Sequence, residues 1–134
     1  SMKRLLQFTL LAMIAAGCDI YVAEPAYDSR DRIAGPYEAE EFSETYNDLI
    51  FYSINITKGA NRNSVYIDNF YGSSIRVYAF VDYDRITIPY QVVNGYEIEG
   101  VGTFHGYYLS LTYRVKDIYN NSYSDFCDTE ARRY

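Results

Sequence analysis

The chain contains no tryptophan, one histidine, three prolines and two cysteines. A nucleophilic triad needs a base, and His105 is the only imidazole that could supply it. It lies in the segment TFHGY between two predicted strands, where we expect a solvated turn residue. No Gly-x-Ser-x-Gly, Walker, Rossmann or His-Glu-x-x-His pattern occurs in the sequence. These absences argue against the common hydrolase, nucleotide-binding and zinc-protease sites, and we expect a protein that is not an enzyme.

The sequence also lacks an apolar run long enough to cross a bilayer as a helix. The longest run, residues 5–16, would span about 18 Å as a helix, against a hydrocarbon core of about 30 Å. Lys3 and Arg4 precede the run, which ends in the small residues Ala15 and Ala16 and is followed by Gly17. This order is typical of a secretory signal peptide. The sequence therefore predicts a signal peptide over residues 1–17.

Cys18 follows the small residues directly, and this junction resembles the lipobox of bacterial lipoproteins. The resemblance implies cleavage before Cys18 and a diacylglycerol on its thiol, which would anchor the protein in the outer membrane, facing the periplasm or the cell surface. Ala15 departs from the family, in which leucine is more usual there. The alternatives are an ordinary signal peptide or an N-terminal core helix. A lipidated Cys18 could not form a disulfide with Cys127, which would be either a buried thiol or an intermolecular handle.

Basic residues are few, and the predicted processing makes them fewer. The formal net charge of the chain is −6. Removal of residues 1–17 takes it to −8, because this segment contains Lys3 and Arg4 and no acidic residue. Nucleic acids and anionic membrane surfaces both attract basic proteins. We therefore expect neither a nucleic-acid partner nor electrostatic binding to a membrane surface.

What the chain has in abundance is tyrosine, with 17 residues, in segments that alternate between apolar and polar positions. Residues 18–32 are polar and turn-rich and predict a tether, so we place a single β domain at residues 33–134. Seven strands are clear, and an eighth is expected near residues 126–132. Because the links are short, an antiparallel meander is expected, closed into a small barrel or split into a β-sandwich.

Four local signals refine this expectation. The acidic segment 37–46 predicts an edge strand whose charges, including those of Glu38, Glu40, Glu41 and Glu44, point outward. Alternation places Tyr90 and Val92 on the same face as Ile86 and Ile88, although Pro89 indicates an edge or a bulge. Asn94-Gly95 predicts a type I′ hairpin turn. Gly100 and Gly102 predict a bulge or a close approach of two backbones.

Segments between Asp68 and Val115, namely DNFYGSSIRVYAFVDYDRITIPYQ, GYEIEGVG and LSLTYRVKD, resemble small secreted lipoproteins of Bacteroidetes-type bacteria. Gly35-Pro36-Tyr37 is similar to the Gly-x-Tyr entry to their first strand. The resemblance implies a lipocalin-like or calycin-like fold. Most of these proteins have no assigned activity, so it implies no site residues.

Four aromatic residues form the candidate binding site. Tyr66, Tyr78, Phe80 and Tyr108 occupy the faces of their strands opposite the aliphatic alternation. They either pack in a core or under the tether, or they form a recognition surface, since tyrosine stacks on sugars and offers a hydroxyl. Alternatively, a barrel lumen could hold a small apolar molecule.

Two acidic pairs also suggest possible chemistry. Glu97 and Glu99 could suggest a two-carboxylate glycosidase, but their spacing on one strand face is typical of a solvated surface. Asp82 and Asp84 lack the spacing of a calcium loop and suit a turn. We expect no metal and no cofactor. The sequence thus predicts a lipid-anchored envelope domain that binds a glycan, a protein or a small apolar molecule, or alternatively a structural subunit of an envelope complex.

Overall fold

The computed structural model describes residues 28–120 and 123–134. A 3₁₀ helix, Ser29–Arg32, precedes the strands β1 Gly35–Ser43, β2 Asp48–Lys58, β3 Ser64–Phe70, β4 Ile75–Asp82, β5 Arg85–Val93, β6 Tyr96–His105, β7 Tyr108–Asp117 and β8 Asp125–Arg133. Each strand pairs antiparallel with the next, and β8 pairs with β1, so the sheet closes into a barrel. The predicted all-β meander is confirmed, as a barrel and not a sandwich. The predicted signal peptide, Cys18 and the tether up to residue 27 lie outside the described residues.

The period of two places aliphatic side chains inside the barrel. In β4 the side chains of Ile75, Val77, Ala79 and Val81 are buried, while those between them are exposed. The buried apolar side chains of all eight strands form one hydrophobic cluster. No helix in the described part of the chain has the length and hydropathy to span a bilayer.

The glycine predictions are confirmed at two places. Asn94 and Gly95 both have positive φ angles, 49° and 84°, as a type I′ turn requires. Gly102 in β6 lies against β7, where an added Cβ would be 2.3 Å from the carbonyl oxygen of Ser110. Since no side chain fits at that distance, the two strands approach closely only because Gly102 lacks one.

The expectation for the first strand is wrong in two respects. β1 is not an edge, because it pairs with both β2 and β8. Glu38 and Glu40 point outward, but Glu41 points inward and is only 2% exposed. The alternation that buries Tyr37 and Ala39 continues through Glu41, so the acidic composition of the segment was misleading.

A bulge in β5 corrects a second expectation. The register with β6 shifts between Ile88 and Gln91, around Pro89. Proline cannot donate a ladder hydrogen bond, which favours a bulge at this point. Beyond the bulge the faces exchange, so Tyr90 and Val92 are exposed and Gln91 is buried. The prediction that Tyr90 and Val92 face inward with Ile86 is therefore wrong.

The 3₁₀ helix covers one end of the barrel. Arg30 is buried there, and its Nη1 donates to the carbonyl oxygens of Gly59, Asn61 and Ser64 at 2.9, 2.7 and 3.0 Å. Its Nε and Nη2 donate to the carboxylate of Asp28, both at 3.0 Å. These hydrogen bonds hold the pKa of Asp28 well below its usual value. We call this the closed end of the barrel, and the opposite end the open end.

Candidate ligand-binding site

The open end carries the turns that follow β1, β3, β5 and β7, because turns alternate between the two ends of an antiparallel meander. β1 finishes there with Ser43, and β8 begins there with Asp125. Both side chains are buried although they are polar. The interior of the barrel therefore changes from apolar to polar towards the open end.

Glu41 is the centre of a hydrogen-bond network just below this end. The hydroxyl of Tyr52 donates to its Oε1 at 2.7 Å, and the hydroxyl of Tyr113 donates to the same oxygen. Thr129 in turn donates to the Tyr113 hydroxyl at 3.0 Å. Because a buried carboxylate is costly unless hydrogen-bonded, these tyrosines make its burial tolerable.

Asp125 is the second buried carboxylate. Ser43 donates to its Oδ1 and Tyr71 donates to its Oδ2, so both oxygens accept a hydrogen bond. Tyr71 has a φ angle of 61°, in the left-handed region that a bulky residue rarely occupies. Backbone strain of this kind persists where the surroundings fix it, and here the bond to Asp125 helps to hold Tyr71 over the barrel opening.

A pocket of about 260 Å³ opens between these groups, and we call it the end pocket. Its lining consists of Glu41, Ser43, Tyr46, Asp48, Ile50, Tyr71 and Asp125. Three carboxyl groups and two aromatic rings contribute to this lining, and none of the seven residues is basic. The end pocket is therefore an acidic recess with aromatic walls.

Burial shifts the pKa values of the ionisable side chains in and around the end pocket. It raises the pKa of Glu41, and the hydrogen bonds from Tyr113 and Tyr52 offset only part of the shift. It also raises the pKa values of Tyr52, Tyr71 and Tyr113 well above 10. The three hydroxyls therefore keep their protons at neutral pH and serve as hydrogen-bond donors.

Cys127 lies inside the barrel below the same end, in β8. It is 1% exposed and has no disulfide partner among the described residues. Burial raises the pKa of its thiol. Of the two predicted alternatives, the structure shows the buried thiol.

The four aromatic residues proposed from the sequence do not line the end pocket, because all of them are on the outer face. Tyr78 lies opposite Tyr66 across the β3–β4 pair, and its ring makes an edge contact with Phe80 at 5.8 Å between centroids. Arg76 covers the ring of Tyr66, with 5.0 Å from its Cζ to the centroid. These three aromatics form one patch, whereas Tyr108 lies in β7, on another side of the barrel.

Tyr108 instead borders a groove of about 320 Å³ on the outer face of β2, β1, β8 and β7. Phe51 borders the opposite side of this groove. We call it the outer groove. Phe51 was missed in the sequence because its strand was examined only for the inward-facing residues.

The remaining sequence candidates are separate from both recesses. His105 is exposed at the end of β6, opposite Tyr108. Glu99 forms an ion pair with Arg114 at 2.8 Å. Asp82 ends β4 at the turn to β5, on the exposed face. Within residues 28–120 and 123–134, no three His, Cys, Asp or Glu side chains are grouped as metal ligands.

Comparisons with known proteins give no family for this chain. No family model matches it, and no curated protein sequence matches it. Its function must therefore be argued from the geometry of its own sites.

Sequence reasoning did not find Glu41, Tyr71 or Asp125. A signal was present for Glu41, because strict alternation from Tyr37 already places it inside. No local signal identifies Tyr71 or Asp125, since their proximity depends on closure of the barrel between β8 and β1.

Proposed function

We propose that this protein is a non-enzymatic binding domain that takes a small organic cation, an amine or a quaternary ammonium, in the end pocket. The observation that carries the proposal is the pairing of buried carboxylates with aromatic walls in a recess without a basic residue. Cations are recognised in proteins by this combination of carboxylates and aromatic rings.

The arrangement of Asp125 favours binding because it exists before any ligand arrives. Ser43 and Tyr71 already donate to its two oxygens and hold the carboxyl group in one orientation. A cation entering the pocket would therefore meet an oriented acceptor, which lowers the ordering cost of binding.

The hypothesis of an apolar ligand in the lumen has less support, because the hydrophobic core fills the middle of the barrel. The recess at the open end is lined by polar groups. A glycan remains an alternative for the outer face, where Tyr78 and Phe80 are exposed.

The proposed location is the bacterial cell envelope, with an outer-membrane anchor through lipid on Cys18. This part rests on the sequence resemblance. The described chain begins at the closed end of the barrel, so a tether at this point would leave the end pocket at the far side from the anchor.

The test is a titration of the purified chain with choline and with dimethylbutanol, its uncharged isostere, by calorimetry and by NMR. We expect choline to bind and to shift the amide signals of Tyr71 and Asp125, and dimethylbutanol to bind at least tenfold more weakly. Asp125→Asn should abolish binding. The matched control is Asp128→Asn, which removes an outward-facing carboxylate from the same strand and should leave binding unchanged.

Thermal unfolding of each variant checks that it is folded, and Tyr71→Phe provides a second variant that keeps the aromatic ring. Equal affinities for choline and its isostere would refute the proposal. So would a folded Asp125→Asn variant that binds choline as the parent does.

A further inference from the structure

The outer groove is built by the register of four neighbouring strands. Ala39 in β1 lies opposite Ala131 in β8, and both side chains are small and point inward. The outer surface of the sheet is therefore recessed at this pair. Phe51 and Tyr108 stand on either side and are 70% and 55% exposed. With strands about 4.8 Å apart, the four strands span about 14 Å, which is wider than a small cation.

The walls of this groove are negatively charged. Glu38, Glu40 and Glu130 contribute carboxylates, and Arg132 contributes the single guanidinium in the lining. The guanidinium of Arg132 lies over the ring of Tyr108, 5.9 Å from its centroid. One cation therefore faces three anions.

Glu40 and Glu130 are directly opposite each other across the β1–β8 pair. Like charges in this position are destabilising. Glu130 accepts a hydrogen bond from the hydroxyl of Ser110 at 2.8 Å, which does not neutralise it. None of the ion pairs within the described part of the chain includes either carboxylate.

The negative surface continues beyond the groove towards the open end. Asp128 follows on the same outer face of β8, and Glu44 follows β1. A hydrogen bond between their carboxyl groups, together with the charge of Asp128, raises the pKa of Glu44. The acidic surface therefore runs along most of the β1–β8 pair, beside exposed aromatic rings.

We propose that the outer groove docks a basic, partly apolar peptide segment of a partner protein. A lysine or arginine of that segment lies between Glu40 and Glu130, and a neighbouring apolar side chain packs against Phe51. The bound cation would relieve the repulsion between the two carboxylates, and burial of an exposed aromatic ring adds affinity.

Charge argues against the other molecules and segments that could bind in the outer groove. A second copy of this chain also has a net charge of −6. Residues 1–17 contain Lys3 and Arg4, but they form the predicted signal peptide, which the processed protein lacks. The segment 19–27 contains Asp19 and Glu24 and no basic residue, so it would be repelled as well. Nucleic acid is excluded by its phosphates. The remaining occupant is a basic segment from another protein.

The test uses short synthetic peptides and the full chain, with affinity measured by fluorescence anisotropy. The probe alternates lysine and leucine, and two control peptides replace every lysine with glutamate or every leucine with serine. We expect the lysine–leucine peptide to bind, the glutamate peptide not to bind, and the serine peptide to bind at least tenfold more weakly. Binding should weaken as salt is added.

Variants locate the contact. The double variant Glu40→Gln, Glu130→Gln and the single variant Phe51→Ala should each weaken binding about tenfold or more. The control variant Tyr90→Ala, Glu97→Gln removes an exposed ring and a carboxyl group from β5 and β6 and should have no effect.

Three results would overturn the inference: no binding of the lysine–leucine peptide, an equal loss in the control variant, or self-association of the chain that Phe51→Ala abolishes. Asp125→Asn distinguishes the two proposals, since it should remove choline binding and leave peptide binding intact.

Discussion

The side-chain amide of Gln91 forms two hydrogen bonds with the backbone of Tyr78. Its Nε2 donates to the carbonyl oxygen of Tyr78 at 2.9 Å, and the Tyr78 amide donates to its Oε1 at 3.1 Å. The β4–β5 ladder itself is limited to Phe80, Val81 and Asp82 of β4, opposite the start of β5. Beyond that point the Gln91 side chain replaces strand pairing and satisfies backbone groups of β4.

Gln91→Leu should therefore destabilise the barrel by about 2 kcal/mol, because it leaves the amide and carbonyl of Tyr78 without partners. Chemical denaturation measures this loss, and hydrogen exchange should show lower protection of the Tyr78 amide. Val92→Ala, at the exposed neighbouring position, is the control and should have little effect. Unchanged protection of the Tyr78 amide in Gln91→Leu would contradict the assignment.

Arg30 should be the main stabilising residue of the closed end. Arg30→Ala removes three hydrogen bonds to carbonyl oxygens, and we expect a loss of about 2 kcal/mol in the free energy of unfolding. Arg32→Ala is the matched control, because Arg32 is exposed and its guanidinium donates a hydrogen bond to the carbonyl oxygen of Tyr83 at 3.0 Å. Equal stability of the two variants would show that the 3₁₀ helix does not depend on Arg30.

Glu41 should make stability depend on pH. Its pKa is raised in the folded state above the usual 4.5, so the folded protein binds a proton more tightly than the unfolded chain does. The parent should therefore gain stability relative to Glu41→Gln as pH falls from neutral towards 4.5, and thermal unfolding across this range measures it. Glu38→Gln, at an exposed position of the same strand, should retain the pH profile of the parent. A parent that loses stability relative to Glu41→Gln over this range would contradict the prediction.

Cys127 should be unreactive while the barrel is folded. In a chain with Cys18→Ser it is the only thiol, and its burial and raised pKa both suppress thiolate attack. We expect no reaction with a disulfide reagent under native conditions and one equivalent in denaturant. Rapid labelling of the folded protein would mean that Cys127 is accessible.

Prediction of the strands succeeded where the alternation was uninterrupted. Ile75, Val77, Ala79 and Val81 were assigned to the inner face and are buried, because burial on one face of a closed sheet imposes a period of two. Prediction failed where composition was weighed above that period, at Glu41, and where a bulge reversed the faces, at Tyr90. A proline signalled the bulge, but its effect on the following residues depends on the register with β6.

The sequence by itself determined the class of fold and the position of most turns. Apolar alternation, the Asn94-Gly95 turn and the glycines of β6 are local signals. Local backbone preferences are sufficient to form the strands and turns that these signals predict. Only the tertiary structure decided the sites. Glu41 and Asp125 line one pocket, and Phe51 and Tyr108 border one groove, because β8 closes against β1. Such pairing of distant segments depends on the packing of the whole barrel and not on any short stretch of the chain.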